Sequence, residues 1–275
     1  MSETLDLFLE ALDRIDGGHL VAVTGAGISL ASGIPTFRGS DSGAIWKHDV
    51  TELGTYRFFR EDPVESWRWY LSRFEVVLGK KPNPAHLALV ALERWQRQRG
   101  RFTLVTQNID TLHEDAGAED LVKVHGTADR IRCPRQGCAH GAPAGSLPRS
   151  DFDVSEFLAA PSEELLPKCP ECGDILRQHV LWFDEFYNEH RDYQWERVQE
   201  AAFSMGLVVF IGTSFAVGVT DMFTRQALGI GIPVLSIDPG GNPPPYPGIT
   251  VLKEKAEDFL PLVCARLGID VPEVD

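Results

Sequence analysis

The chain is short of positive charge. Its 275 residues hold 26 lysines and arginines against 40 aspartates and glutamates, a formal charge of −14. Affinity for nucleic acids and anionic membranes depends on neutralising phosphate with cationic side chains, so this balance argues against partners of either kind. No apolar run is long enough to cross a bilayer. The N-terminus, MSETLDLFLEALDRIDGG, lacks the basic start and unbroken apolar stretch of a secretory signal, which makes the cytoplasm the expected compartment. No internal repeat is visible. Cysteine is scarce and odd in number, at Cys133, Cys138, Cys169, Cys172 and Cys264. Four of the five lie in pairs, which in a reducing compartment suggests a metal before it suggests disulfides.

What is present is a sizeable apolar fraction, 43% of residues, with 15 Phe, 6 Trp and 5 Tyr. That excludes a disordered chain, and a chain of this length buries roughly 70–75% of its unfolded surface. Leu5, Phe8, Leu9, Leu12 and Ile15 recur at helical spacing and end at Gly17-Gly18, which predicts an amphipathic helix with a glycine C-cap. Short, apolar, β-branched runs follow: His19–Thr24, Phe102–Thr106, Leu121–His125, Leu207–Ile211 and Ile232–Ile237. They alternate with helix-periodic stretches, which predicts an α/β fold with a doubly wound parallel, Rossmann-like sheet. Two regions break the alternation, Thr36–Lys81 and Arg132–Gln178. The second is rich in proline, glycine and cysteine and too poor in apolar residues for a core of its own, so it needs a staple. The proline-rich stretch Gly240–Gly248 reads as a surface connector with Tyr246 free to meet a ligand. Arg94–Arg101, at the end of an amphipathic helix, reads as a solvated face.

Cys133-x4-Cys138 and Cys169-x2-Cys172 make a four-thiolate set, read as structural Zn2+, because four protein ligands leave tetrahedral zinc no open position. His140 and His179 are alternative ligands. Cys264, spaced with Leu260 and Leu267, reads as a core thiol. The turn after the first strand, GAGIS, puts Gly25 and Gly27 where a dinucleotide fingerprint has its first two glycines, but Leu30 stands where a small third residue is needed. That disfavours an ordinary dehydrogenase. Each strand nevertheless ends in polar or glycine-rich residues, at Thr24, Gln107–Asp110, His125-Gly126, Gly212–Ser214 and Asp238, where open α/β sheets bind ligands. The amides and hydroxyls at Gly212, Thr213 and Ser214 suit a phosphate, and the Asp238 carboxylate suits a ribose diol.

GAGIS (Gly25–Ser29), GIPTFRG (Gly33–Gly39), TQNID (Thr106–Asp110), HG (His125–Gly126), the paired cysteines, HVLWFDE (His179–Glu185) and GTS (Gly212–Ser214) stand in the order seen in sirtuins, the NAD-dependent protein lysine deacylases. The chain resembles that family from about His19 to the C-terminal helix. The resemblance implies an NAD-binding Rossmann-like domain of residues 1–39, 82–131 and 179–275, a helical and cofactor-loop insert of 40–81 and a zinc-binding insert of 132–178. It implies that Gly25, Ala26, Gly27, Ser29, Thr36, Phe37 and Arg38 hold NAD together with Gln107, Asn108, Ile109 and Asp110. Gly212, Thr213, Ser214, Asp238, Lys255 and Ala256 complete that set. Phe37 lies over the nicotinamide ribose and shields the reacting carbon from water. His125 is the general base for a ribose hydroxyl, with Asn108 beside it. Val180, Trp182 and Phe183 pair with the substrate backbone as an added strand and wall an acyl-lysine tunnel. Tyr70-x-x-Arg73 resembles the pair by which class III sirtuins grip acidic acyl groups, and residues three apart share a helix face, so a phenol and a guanidinium fork meet one carboxylate. The expected partner is an acylated lysine of a protein or peptide.

The chain departs from the family pattern at five places. GTSFAVGVT lacks the proline often found after GTS-x-x-V. Asp184 replaces a usual Gly, Gln178 a usual Pro and Asp238 a usual Asn, and the loop Ser40–Trp46 is lengthened. Two rival readings accompany deacylation: an NAD glycohydrolase or ADP-ribosyltransferase on the same site, and a sensor that binds NAD or an acylated peptide without turnover.

Overall fold

The computed structural model describes residues 2–36, 50–240 and 246–272. Helix α1 (Ser2–Arg14) leads through Gly17, in the left-handed region at φ 78°, into β1 (His19–Thr24). The segment after β1 is a 3-10 helix, Ala26–Ser32, rather than the α-helix a dinucleotide fingerprint would open. Phe37, Arg38 and most of the expected cofactor loop lie outside the described residues. Three helices follow: α2 (Val50–Leu53), α3 (Tyr56–Glu61) and α4 (Pro63–Val77). Thr55 caps α3 by accepting Phe58 N, and Asp62 caps α4 by accepting Glu65 N at 2.9 Å, with Pro63 in the first turn. Helix α5 (Pro84–Arg97) opens with a capping box between Asn83 and His86.

The parallel strands continue with β2 (Arg101–Thr106) and, after the single turn α6 (Leu112–Asp115), β3 (Leu121–Lys123). The strand expected to run to His125 stops two residues earlier. Next come β4 (Gly126–Arg132), β5 (Leu147–Pro148), α7 (Ser155–Ala159) and β6 (Arg177–Val180), then α8 (Trp195–Ser204), β7 (Leu207–Ile211), α9 (Gly218–Ile230), β8 (Val234–Ile237), β9 (Thr250–Leu252) and α10 (Ala256–Arg266). The main sheet has six parallel strands in the order β3-β2-β1-β7-β8-β9, the 3-2-1-4-5-6 arrangement of a doubly wound sheet. Alternation along β1 sends Leu20 and Ala22 into one apolar layer with α1, α5 and α10, and Val21 and Val23 into the other with α8 and α9. Strand β9 has no counterpart among the sequence-predicted strands, because TVL is too short and too exposed to carry a period. Cys264 is buried in the first layer, its thiol directed at Ala88 O.

The remaining strands, β5-β4-β6, form a small antiparallel sheet. Its apolar side chains do not close a core alone. Ala128, Ile131, Phe157, Leu166, Leu176 and Trp182 pack against Phe59, Trp67, Trp69, Tyr70, Leu71 and Phe74 of the helical insert, and Trp67 Nε1 donates to Leu176 O at 2.8 Å. Two segments far apart in the chain thus share one hydrophobic cluster at the carboxyl end of the main sheet. Tyr246, on the proline-rich connector, is hydrogen-bonded to Asp221 of α9.

Candidate active site

The carboxyl ends of β1, β2, β7 and β8 and the shared cluster enclose one cleft of about 1070 Å3. On the sheet side it is lined by Gly25, Ala26, Gly27, Ser29, Thr36, Gln107, Asn108, Ile109, Asp110, Gly212, Thr213, Ser214, Asp238, Lys255 and Ala256, and on the insert side by Tyr70, Arg73, Val180, Trp182 and Phe183, with His125 between. All the cofactor and substrate residues named from the sequence that are among the described residues therefore meet in one place. The lining also includes Leu30, and Trp69, Phe74 and Tyr187, which sequence patterns did not single out.

The glycines of the first turn answer to each other before any ligand. Gly25 N donates to Ile211 O at 3.0 Å and Gly27 N to Gly212 O at 2.9 Å. A Cβ at Gly27 would stand 2.6 Å from Gly212 Cα, and one at Gly25 2.7 Å from Gly212 O. Gly212 itself sits at φ +59°, so any side chain there is strained as well as crowded. The ends of β1 and β7 touch backbone to backbone, and the cleft opens over them.

Beside that contact lies a buried polar network. Asn108 Nδ2 donates to Gly25 O and to Ser29 Oγ, both at 3.1 Å, and Ser29 Oγ donates to Asp110 Oδ2 at 2.9 Å. Leu112 N donates to Asp110 Oδ1 at 3.1 Å. Burial nonetheless pushes the Asp110 carboxyl above its usual range. Gln107 Nε2 donates to Thr24 O and Thr213 Oγ1, tying the end of β2 to the ends of β1 and β7. The hydroxyl of Thr36 is buried with no hydrogen-bond partner among the described residues.

His125 Nδ1 lies 2.8 Å from Gln107 O. A carbonyl only accepts, so Nδ1 carries the proton and Nε2 is left as an acceptor. Burial lowers the imidazole's pKa, partly opposed by the Gln107 carbonyl. The residue is thus held neutral, in one tautomer, with its basic nitrogen unprotonated.

The insert side is aromatic. Tyr70 stacks on Trp182 at 6.0 Å and 22°, and the Arg73 guanidinium lies 4.0 Å over the Trp69 ring with Nη1 donating to Trp69 O at 2.7 Å. Burial pushes the Tyr70 phenol far up, so it stays a donor at any working pH. The loop after β6 is fixed from below by Glu185, which accepts from Trp182 N at 2.9 Å and pairs with both Arg132 and Arg177. Burial alone would raise the Glu185 carboxyl, but the two guanidiniums hold it below its usual range. Arg177 also lies 3.3 Å over the Trp182 ring.

The four paired cysteines form a second, separate site. Their sulfurs lie within 4.8 Å of one another, with Cys133–Cys172 at 3.4 Å, Cys138–Cys169 at 3.6 Å and Cys138–Cys172 at 3.9 Å. A tetrahedron with Zn–S bonds of about 2.3 Å has edges of about 3.8 Å, so the donor set fits zinc. His140 and His179 are not in the group. His179 instead meets Asp192 at 3.1 Å and stacks edge-on with His190. His190 Nδ1 accepts Asp192 N and Arg132 stands close by, which makes this a hydrogen-bonded trio rather than a cation site.

A family model described as "Sir2 family" matches residues 25–219. The chain belongs to the Sir2 family. Among its relatives, an "NAD-dependent protein deacylase" from Thermus thermophilus is 39% identical over 237 residues, 85% of each chain. The "NAD-dependent protein deacylase sirtuin-5, mitochondrial" of Xenopus tropicalis is 36% identical over 256 residues, 88% of this chain and 79% of that one. A solved Sir2 homologue in complex with NAD superposes with a TM-score of 0.73 at 30% identity, covering 91% of this chain and 89% of that one. Most of the described residues of the Sir2 signatures line the cleft or form the thiolate cluster. No helix among the described residues is long and apolar enough to cross a membrane.

Proposed function

We propose that the protein is an NAD-dependent protein lysine deacylase that moves an acyl group from lysine to ADP-ribose with release of nicotinamide. The observation that carries this is His125. Its Nδ1–H is fixed on Gln107 O and its Nε2 is an acceptor, at the junction of a polar, glycine-floored half-cleft and an aromatic one. The residues present fit NAD: a cleft of sufficient volume, buried polar side chains at the strand ends, and a Thr36 hydroxyl with no partner among the described residues. Gly25, Ala26, Gly27, Ser29, Thr36 and Gln107–Asp110 would hold it, with Gly212–Ser214, Asp238, Lys255 and Ala256 on the far side, and Phe37 and Arg38 from the sequence. Bound NAD supplies a ribose carbon from which nicotinamide departs and hydroxyls that receive the acyl group. His125 Nε2 takes a proton from such a hydroxyl, Asn108 positions the ribose side, and the closed aromatic wall excludes water.

The substrate is an acylated lysine of a protein, lying along Val180, Trp182 and Phe183 with its acyl chain in the aromatic half. There the Tyr70 phenol and the Arg73 guanidinium suit a terminal carboxylate, so we assign succinyl-, malonyl- or glutaryl-lysine alongside acetyl-lysine. The NAD-holding part comprises 1–39, 82–131 and 179–275, with 40–81 and 132–178 as the inserts that carry the acyl site and the structural zinc. Cysteines spaced for a metal support a reducing, cytoplasmic setting. Mass spectrometry of reactions with NAD and a panel of acylated peptides tests the reading. O-acyl-ADP-ribose that disappears in His125→Ala is expected; free ADP-ribose made without peptide would instead favour a glycohydrolase. Arg73→Met should lose succinyl turnover at least tenfold more than acetyl turnover, and equal losses would remove the carboxylate grip.

A further inference from the structure

Tyr187 lies two residues beyond the HVLWFDE signature, and its phenol oxygen stands 3.4 Å from His125 Nε2, the nitrogen left as an acceptor. The two rings stack at 5.8 Å and 20°. Tyr187 also stacks on Trp195 of α8 at 4.5 Å and 12°, which holds its ring plane. A Cβ at Gly218, at the start of α9, would come within 3.9 Å of the phenol oxygen. Nε2 carries no proton in this tautomer, so in this contact the phenol donates and the imidazole accepts. The contact is long, as hydrogen bonds to a catalytic base commonly are before substrate binds.

We infer that Tyr187 is a positioning residue of this active site, whose hydroxyl caps the Nε2 lone pair of His125 in the ligand-free protein, fixes the ring and its tautomer, and sets its basicity. The inference rests on the reading of His125 as the base. A relay runs from the phenol to Nε2, and from Nδ1–H to Gln107 O. Because Nε2 has one lone pair, the phenol and a ribose hydroxyl compete for it, and Tyr187 must yield when the hydroxyl arrives. The other charged groups lining the cleft have partners elsewhere or bear on other atoms. Asp110 is bound to Ser29 and Leu112, Glu185 is paired with Arg132 and Arg177, and Arg73 lies on Trp69. Asp238 accepts from Gly240 N. None of these, nor Lys255 or Glu257, acts on His125, whose basicity burial lowers against the Gln107 carbonyl.

A hydroxyl donating to the neutral imidazole favours that form, so removing it makes His125 more basic. Tyr187→Phe keeps both ring stacks and deletes the donor. The His125 ring protons, assigned by their loss in His125→Ala, are titrated by NMR in the ligand-free protein. The titration is expected to move up by about 0.5–1 pH unit, the size of one net hydrogen bond. The acidic limb of kcat/KM is expected to move with it, so that deacylation well below the limb falls about three- to tenfold. Tyr187→Leu should move both in the same direction. An unchanged His125 titration in both variants overturns the contact. Full turnover in His125→Ala overturns the base assignment, and with it the catalytic meaning of the contact, even where the NMR shift is found.

Discussion

The Asp184 carboxylate accepts the backbone N–H groups of Tyr56 and Arg57, at 2.7 and 3.0 Å, and so joins the substrate-side loop to the first turn of α3. A second bond, Phe183 N to Gly54 O at 3.0 Å, runs alongside it. The usual glycine at this position has no side chain to make the first link, so the departure has a structural meaning: the loop that would meet substrate is anchored to the helical insert before substrate arrives. Asp184→Gly should lower stability by about 0.5–2 kcal/mol, as for loss of a helix cap, and raise KM for an acylated peptide several-fold while KM for NAD holds. Thermal melts and initial rates with each substrate varied in turn check this; a parallel rise in both KM values would show a broader collapse.

Ser29 is the middle of a three-residue clamp. Its hydroxyl receives the Asn108 amide and donates to Asp110, all with little access to water. Ser29→Ala leaves an oxygen of a buried carboxyl without its donor, which costs about 1–3 kcal/mol, and frees Asn108 to turn. Turnover should fall more than tenfold, with the zinc content unchanged. A variant that keeps wild-type turnover would separate Asn108's orientation from the chemistry.

The thiolate cluster supports the acyl half of the cleft through packing. Cys133 and Cys169 are buried members of the same cluster as Trp67, Tyr70 and Trp182. The four sulfurs lie within 4.8 Å of one another in the wall of this core, so a bound metal ties β4 and the Cys169–Cys172 loop together. Chelation, or Cys172→Ser, should therefore melt the inserts first and abolish deacylation. Hydrogen exchange should show lost protection across β4, β6 and α4, with β1 and β7 still protected. Loss of protection in all four strands together would mean the sheet depends on the metal as well.

Much of this was legible in the sequence because the relevant signals are local. His19–Thr24 is continuously apolar and ends in glycines, so both its burial on two faces and the turn beyond it follow from composition. Cys133, Cys138, Cys169 and Cys172 declare themselves by spacing. The reason for Gly25 and Gly27 was only half visible: the close approach they permit is to Gly212, nearly two hundred residues away, and no local pattern reports it. Asp184 stood out as a departure, but its partners are backbone amides, which carry no residue identity. Tyr187 had no signal at all. Its significance comes from the distance to His125, and an aromatic residue just past a motif looks like any rim residue until the chain is folded.

Several histidines are held neutral by burial, and this gives the fold an acid limit. His19, His86 and His190 are each lowered to about 4, and His113 lies well below its usual value; burial is the largest cause in every case. In the unfolded chain these groups take up protons through about pH 6.5, whereas in the fold they resist until about pH 4. The unfolded state therefore binds more protons within that window, and stability is lost as pH falls from 6.5 toward 4. Near pH 5 each histidine contributes a slope of about 1.4 kcal/mol per pH unit, about 5.5 for the four together. Glu185 adds to the loss lower down, because its carboxyl is held below its usual range by Arg177 and Arg132. His19 isolates the effect: it bonds Ser204 and Thr103 at the start of β1, far from the thiolates and from His125. Urea unfolding of wild type and His19→Gln between pH 7 and 5 should give curves that converge on acidification, the variant less stable at neutral pH but shallower by about 1.4 kcal/mol per unit. Parallel curves would show that His19 is protonated alike in both states.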